Sequence, residues 1–82
     1  MQRKIFIQTI RGLGYVVKPD STGTSIHIYL NRNPHLILFT IDDTKPYAFT
    51  AHDMFHLMHY TKKENLYRLV SEYAATTLID RN

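Results

Sequence analysis

Thr24-Ser25-Ile26-His27-Ile28-Tyr29-Leu30 alternates without a fault. Ile26, Ile28 and Leu30 fall on one side of an extended chain, and Ser25, His27 and Tyr29 on the other, which is the pattern of a strand with one buried face. Turn residues bound it. Asp20-Ser21-Thr22-Gly23 precedes it and Asn31-Arg32-Asn33-Pro34 follows it. Upstream, Tyr15-Val16-Val17-Lys18 is a short β-rich run stopped by Pro19, which lacks the amide donor and so belongs at an edge or a strand end. Downstream, Leu36 to Ile41 is apolar at every position but Thr40, which predicts a strand covered on both sides or central in the sheet. A polar loop, Asp42-Asp43-Thr44-Lys45-Pro46, then leads to Tyr47-Ala48-Phe49, a short fourth strand.

Helical periods flank these strands. Across residues 2–13, Phe6, Ile10 and Leu13 recur at i, i+4 and i+7, with Ile5 and Ile7 beside the main stripe; Gly14 is placed to close the helix in a left-handed conformation. After the strands, Thr50 is positioned to cap a helix from Ala51 to about Tyr60. Thr61-Lys62-Lys63-Glu64 is a capping box that starts another helix, carrying Leu66, Leu69, Val70, Tyr73, Ala74 and Thr77 on one face, to about Thr77 or Leu78. Asp80-Arg81-Asn82 is expected to fray. The order is α-β-β-β-(β)-α-α. Short turns between strands give an antiparallel meander of three or four strands, and each helix has one stripe to bury, so both ends pack on the sheet as a single small α+β domain over residues 1–82. The expected core is Phe6, Ile10, Leu13, Val17, Ile26, Ile28, Leu38, Leu66, Leu69, Val70 and Tyr73.

Composition narrows the function classes. At 44% hydrophobic and 21% charged, the 82 residues read as a globular protein. With no Cys, disulfides, thiolate metal sites and cysteine nucleophiles are excluded. No apolar run approaches the roughly 20 residues of a membrane span, and Met1 leads into no signal-peptide pattern, so a cytoplasmic location is expected. The formal charge is +3 and the pI near 9.3. That balance suits an acidic partner, but the ten Lys and Arg are spread along the chain with only Arg3-Lys4 and Lys62-Lys63 as doublets. A solvated surface explains them better than a nucleic-acid stripe.

The segment from Leu69 to Arg81, LVSEYAATTLIDR, resembles a recurring ending of small phage and prophage proteins of Gram-positive bacteria, of the form L-x-E-Y-A-x-T-P-x-x-E-R. Glu72, Tyr73, Ala74, Thr76 and Arg81 fit it; Thr77 and Asp80 replace the usual proline and glutamate. An N-terminal helix followed by Gly14-Tyr15-Val16-Val17 matches the opening of such proteins. The resemblance implies origin and not activity. A second resemblance is to HicA-type messenger-RNA interferases, whose fold is double-stranded-RNA-binding-like. Gly14-Tyr15 matches their sequence after the first helix, and Gly23-Thr24-Ser25-Ile26-His27 matches their Gly-Ser-His signature with two inserted residues. It implies that His27 would be the catalytic histidine.

Each chemistry-bearing group competes with a plainer reading. His27 sits on the polar side of its strand, where a neutral imidazole can serve as a general base for RNA cleavage, yet no second acid or base stands at a fixed offset. His52, His56 and His59, at i, i+4 and i+7, share one face of the expected 51–60 helix, opposite Met54, Leu57 and Met58. Such spacing suits a transition metal, but an outward, solvated face is expected, with no native metal. Asp42-Asp43 is expected to serve the turn and solubility. Gly12 and Gly14 lack the rest of a phosphate loop. Tyr15, Tyr29, Phe39 and Tyr47 are candidates for stacking bases, or else cross-strand pairs. No catalytic, cofactor or metal residue is assigned. The expected function is a non-enzymatic accessory protein that engages a protein partner; the alternative is an RNA-binding protein or ribonuclease. Neither partner identity nor oligomeric state is written in the sequence.

Overall fold

In the computed structural model, which describes residues 1–82, α1 (Arg3–Gly12) leads into four strands, β1 (Val16–Pro19), β2 (Ser25–Tyr29), β3 (Ile37–Asp42) and β4 (Phe49–Ala51). Two helices follow, α2 (Asp53–His56) and α3 (Tyr60–Ala75). The strands form one antiparallel sheet in the order β1-β2-β3-β4, the expected meander, with its fourth strand two residues later than the expected Tyr47-Ala48-Phe49. No helix is long and apolar enough to cross a membrane.

Register decides which side chains meet. Val17 lies opposite Ile28, Ile28 opposite Phe39, and Ile26 opposite Ile41, so these five side chains share one face. Both long helices cover it. Phe6 of α1 stacks on Tyr73 of α3 at 4.3 Å between ring centroids, and Tyr67 of α3 packs against Phe39 and Phe49. Ten of the eleven expected core residues are buried. The exception is Leu13, 46% exposed: α1 ends at Gly12, so Leu13 is its C-cap and has left the helical stripe. Ile7, Phe39, Ile41, Phe55 and Ala74 complete the buried set. Gly14 follows with φ 98°, a conformation that suits glycine because it has no Cβ.

Three local expectations are corrected. Thr50 caps no helix; it lies in β4, and α2 is only the four residues after His52. The period of a ten-residue helix therefore does not apply, and Leu57, expected to be inward, is 77% exposed while Phe55 is buried. α3 starts at Tyr60, ahead of the capping box, with His59 as N-cap; the His59 ring nitrogen accepts from the Thr61 amide. The tail does not fray. Arg81 is 3% exposed and donates to Asp43 Oδ1 (3.0 Å) and to the carbonyls of Ala74, Thr76 and Lys45 (2.9, 3.0 and 3.3 Å), with its guanidinium over the Tyr73 ring.

Candidate functional site

The sheet face turned away from the helices carries the polar half of the alternation. Lys18 lies opposite His27, His27 opposite Thr40, and Thr40 opposite Thr50, giving one row across all four strands. Ser25 and Tyr29 flank it on β2. Leu38, the extra residue of a bulge where Ile28 pairs with Phe39 and Tyr29 with Ile37, belongs to the buried core, and its carbonyl accepts from the His52 amide where the chain enters α2. The Lys18 ammonium sits 5.5 Å from the Tyr29 ring centroid. A shallow depression at one side of the row is lined by Ser25, Thr40, Asp42, Thr44 and Thr50.

A chain of hydrogen bonds runs through this face. Ser25 Oγ donates to Asp20 Oδ2 at 2.9 Å, and the same oxygen is 3.3 Å from His27 Nε2. His27 Nδ1 is 3.2 Å from Thr40 Oγ1, which is 2.8 Å from His52 Nε2. Direction follows from the Asp20 end. Burial opposes ionisation of Asp20, but the Ser25 hydroxyl and the Thr24 hydroxyl and amide outweigh it and hold the carboxyl well below its usual range. A carboxylate only accepts, so the single Ser25 proton is spent on it and Ser25 Oγ accepts from His27 Nε2–H. In a neutral His27 ring, Nδ1 then carries the lone pair. Thr40 donates to it and accepts from His52 Nε2–H, leaving Nδ1 as the lone-pair nitrogen of His52. One acid thus sets the tautomer of two histidines on two other segments.

The other candidates are placed differently. His52, His56 and His59 share no helix face: His52 joins the sheet chain, His56 ends α2 against Phe55, and His59 caps α3. No group of three or more His, Cys, Asp or Glu is arranged to hold a metal ion. Phe39 is buried under the helices, Tyr29 lies on the opposite face, and Tyr47 projects from the β3–β4 loop, so the aromatics form no single stacking platform. Asp42 serves its turn as expected; the Thr44 hydroxyl and amide bind it and keep its carboxyl below the usual range. Asp43 does not. It is a buried anchor, taking Arg3 Nε at 2.6 Å, Tyr73 OH at 2.6 Å and Arg81 Nη1 at 3.0 Å. Desolvation and the hydrogen bond to Asp43 push the Tyr73 hydroxyl far above its ordinary pKa.

Thr40 had no motif to mark it, and the i, i+4, i+7 spacing that marked His52 pointed to a helix face instead of this chain. Once the 31–34 turn sets β2 against β3, Thr40 falls opposite His27, and that pairing is the signal that finds the chain. No family model, curated protein or solved structure matches this sequence.

Proposed function

We propose that this chain is a non-enzymatic accessory protein of phage or prophage origin that binds a protein partner through the helix-free sheet face. The observation that supports it is the use of His27. Its Nε2 donates to Ser25 and its Nδ1 accepts from Thr40, so a base role would require the ring to give up Thr40 first. The same bonds stiffen a face of hydroxyls, imidazoles and one lysine, a pre-organised polar contact surface. Photo-crosslinking from Tyr29, compared with the same probe at Asn65 on α3, tests the reading in host cells. A discrete protein adduct from Tyr29 only supports it. Adducts from Asn65 alone, or nucleic acid recovered from Tyr29, refute it.

One observation favours a second reading. Lys18 lies directly across from His27 and over the Tyr29 ring, placing a cation and an aromatic beside the imidazole. That trio suits RNA binding or cleavage. Mobility shift with RNA at two salt concentrations tests it: binding that weakens steeply with salt is the expected signature. Cellular toxicity abolished by His27→Ala in a folded variant would move the assignment to a ribonuclease.

A further inference from the structure

The two edges of the sheet are treated in opposite ways. On β1, the hydrogen bond from the Asp20 amide to the Ser25 carbonyl sets the alternation, so Val17 and Pro19 turn their backbone groups outward. That edge is blunted. Arg11 Nη2 caps the Val17 carbonyl at 2.9 Å, and Pro19 has no N–H to offer. On β4, the Asp42 amide bonds the Ala48 carbonyl and the His52 amide bonds the Leu38 carbonyl. Within the β3–β4 register, Ala48, Thr50 and His52 therefore face β3, and Phe49 and Ala51 turn their N–H and C=O groups away from it. No hydrogen bond of the protein uses those four groups. Tyr47-Ala48-Phe49-Thr50-Ala51 contains no charge and no proline, two of the devices that keep an edge from pairing; the shortness of β4, three residues, is the one it retains.

We propose that β4 is a self-association edge: two copies pair antiparallel through β4 about a two-fold axis at Thr50. The segment is self-complementary in that register. Phe49 of each copy exchanges both backbone bonds with Ala51 of the other, which satisfies all four free groups on each strand, and Thr50 meets Thr50 as the close, non-bonded pair. Thr–Thr contacts of this kind are favourable across strands. The flank above the edge fits a second copy. Phe49 packs on Tyr67, which is 47% exposed, beside the exposed Tyr60. Charges on that flank alternate in sign: Lys63 stands beside Glu64, and Arg68 pairs with Glu72 at 3.3 Å. Tyr47, at a left-handed φ of 61° with its amide bonded to the Ala74 carbonyl, holds its ring in solvent at the start of the strand.

Such an axis stands perpendicular to the sheet. It keeps both helix layers on one side and joins the two polar faces on the other. The row Lys18–His27–Thr40–Thr50 would then continue through the second copy in reverse order. With strands about 4.8 Å apart, the two His27 residues stand roughly 24 Å from each other, five strand spacings.

Sedimentation equilibrium of the whole chain tests this. The expected mass at high concentration is twice the 9.7 kDa protomer. Thr50 is exposed and its hydroxyl makes no hydrogen bond, so Thr50→Lys and Thr50→Glu leave the protomer folded by circular dichroism. Each variant alone puts like charges face to face at the axis and is expected at half the wild-type mass. An equimolar mixture of the two regains the doubled mass. A wild-type protein that stays monomeric up to its solubility limit overturns the proposal. So does a doubled mass that survives Thr50→Lys, or a mixture that fails to associate.

Discussion

Replacing Asp43 with alanine is the most informative perturbation of the fold. Its carboxylate is 5% exposed and receives Arg3, Arg81 and Tyr73 together. Removing it leaves the Arg81 guanidinium buried without a counter-charge, and breaking one partner of a buried pair costs about 3–5 kcal/mol. Arg81 keeps the carbonyls of Ala74, Thr76 and Lys45, which places the loss near the low end of that range. Arg3 is one-third exposed and reaches water, so its half of the cluster adds less than about 1 kcal/mol. The expected loss is about 3–4 kcal/mol. A domain of 82 residues at about 0.05–0.15 kcal/mol per residue holds only about 4–12 kcal/mol. Urea unfolding followed by circular dichroism measures it: the midpoint falls and the slope stays constant. Asp42→Ala, one residue away at the half-exposed end of β3, is the control and is expected to cost less than about 1 kcal/mol. A loss below about 1 kcal/mol for Asp43→Ala, or equal losses for both variants, would refute the claim that the cluster anchors the tail.

The remaining predictions concern pH, the core and the sheet face. Asp20 ionises more readily folded than unfolded, so its contribution is present above its ordinary value of 3.8 and is lost as pH falls below it; Asp20→Asn flattens that acid limb in denaturation curves. The raised Tyr73 hydroxyl works in the other direction: the unfolded chain releases that proton from about pH 10 upward, its ordinary value, while the folded chain keeps it. Stability therefore falls as pH climbs above 10, and Tyr73→Phe removes that fall. At neutral pH, Tyr73→Phe costs about 1.5–3 kcal/mol for a bond to a charged acceptor, while the ring stack on Phe6 survives. Thr40→Val cuts the chain between the two histidines, so nitrogen NMR of the imidazoles should show the fixed Nε2–H tautomer of His52 giving way to a mixture, while Asp20 and Ser25 still hold His27.

What the sequence revealed followed from period. The alternation of Ser25 to Leu30 and the stripe from Leu66 to Ala74 are dense apolar signals over enough residues to fix an element and its buried face. What escaped were features without a period. α2 is four residues long, too short for a stripe, and the i, i+4, i+7 spacing of its histidines arose across a strand exit, a helical turn and a cap. Arg81 looked like a polar end because its partners, Arg3, Asp43 and Ala74, lie on other elements, and no local pattern announces a long-range ion pair. The chain from Asp20 to His52 was half legible: His27 stood on the polar face of its strand, but Thr40 acquired meaning only through the β2–β3 register, and His52, marked by its spacing for a helix face, joins through its contact with Thr40.

The anchor on Asp43 also has a kinetic consequence. The hairpins β1–β2 and β2–β3 close over short turns and need only near neighbours, whereas the anchor joins α1, the β3–β4 loop and the residues after α3. Loop-closure entropy makes such long-range contacts late events. Groups that lock in after the folding barrier leave the rate of folding nearly untouched and govern the rate of escape from the native state. The cluster of Arg3, Asp43 and Arg81 is in that sense a brake on unfolding, setting how long the molecule persists between openings more than how quickly it assembles.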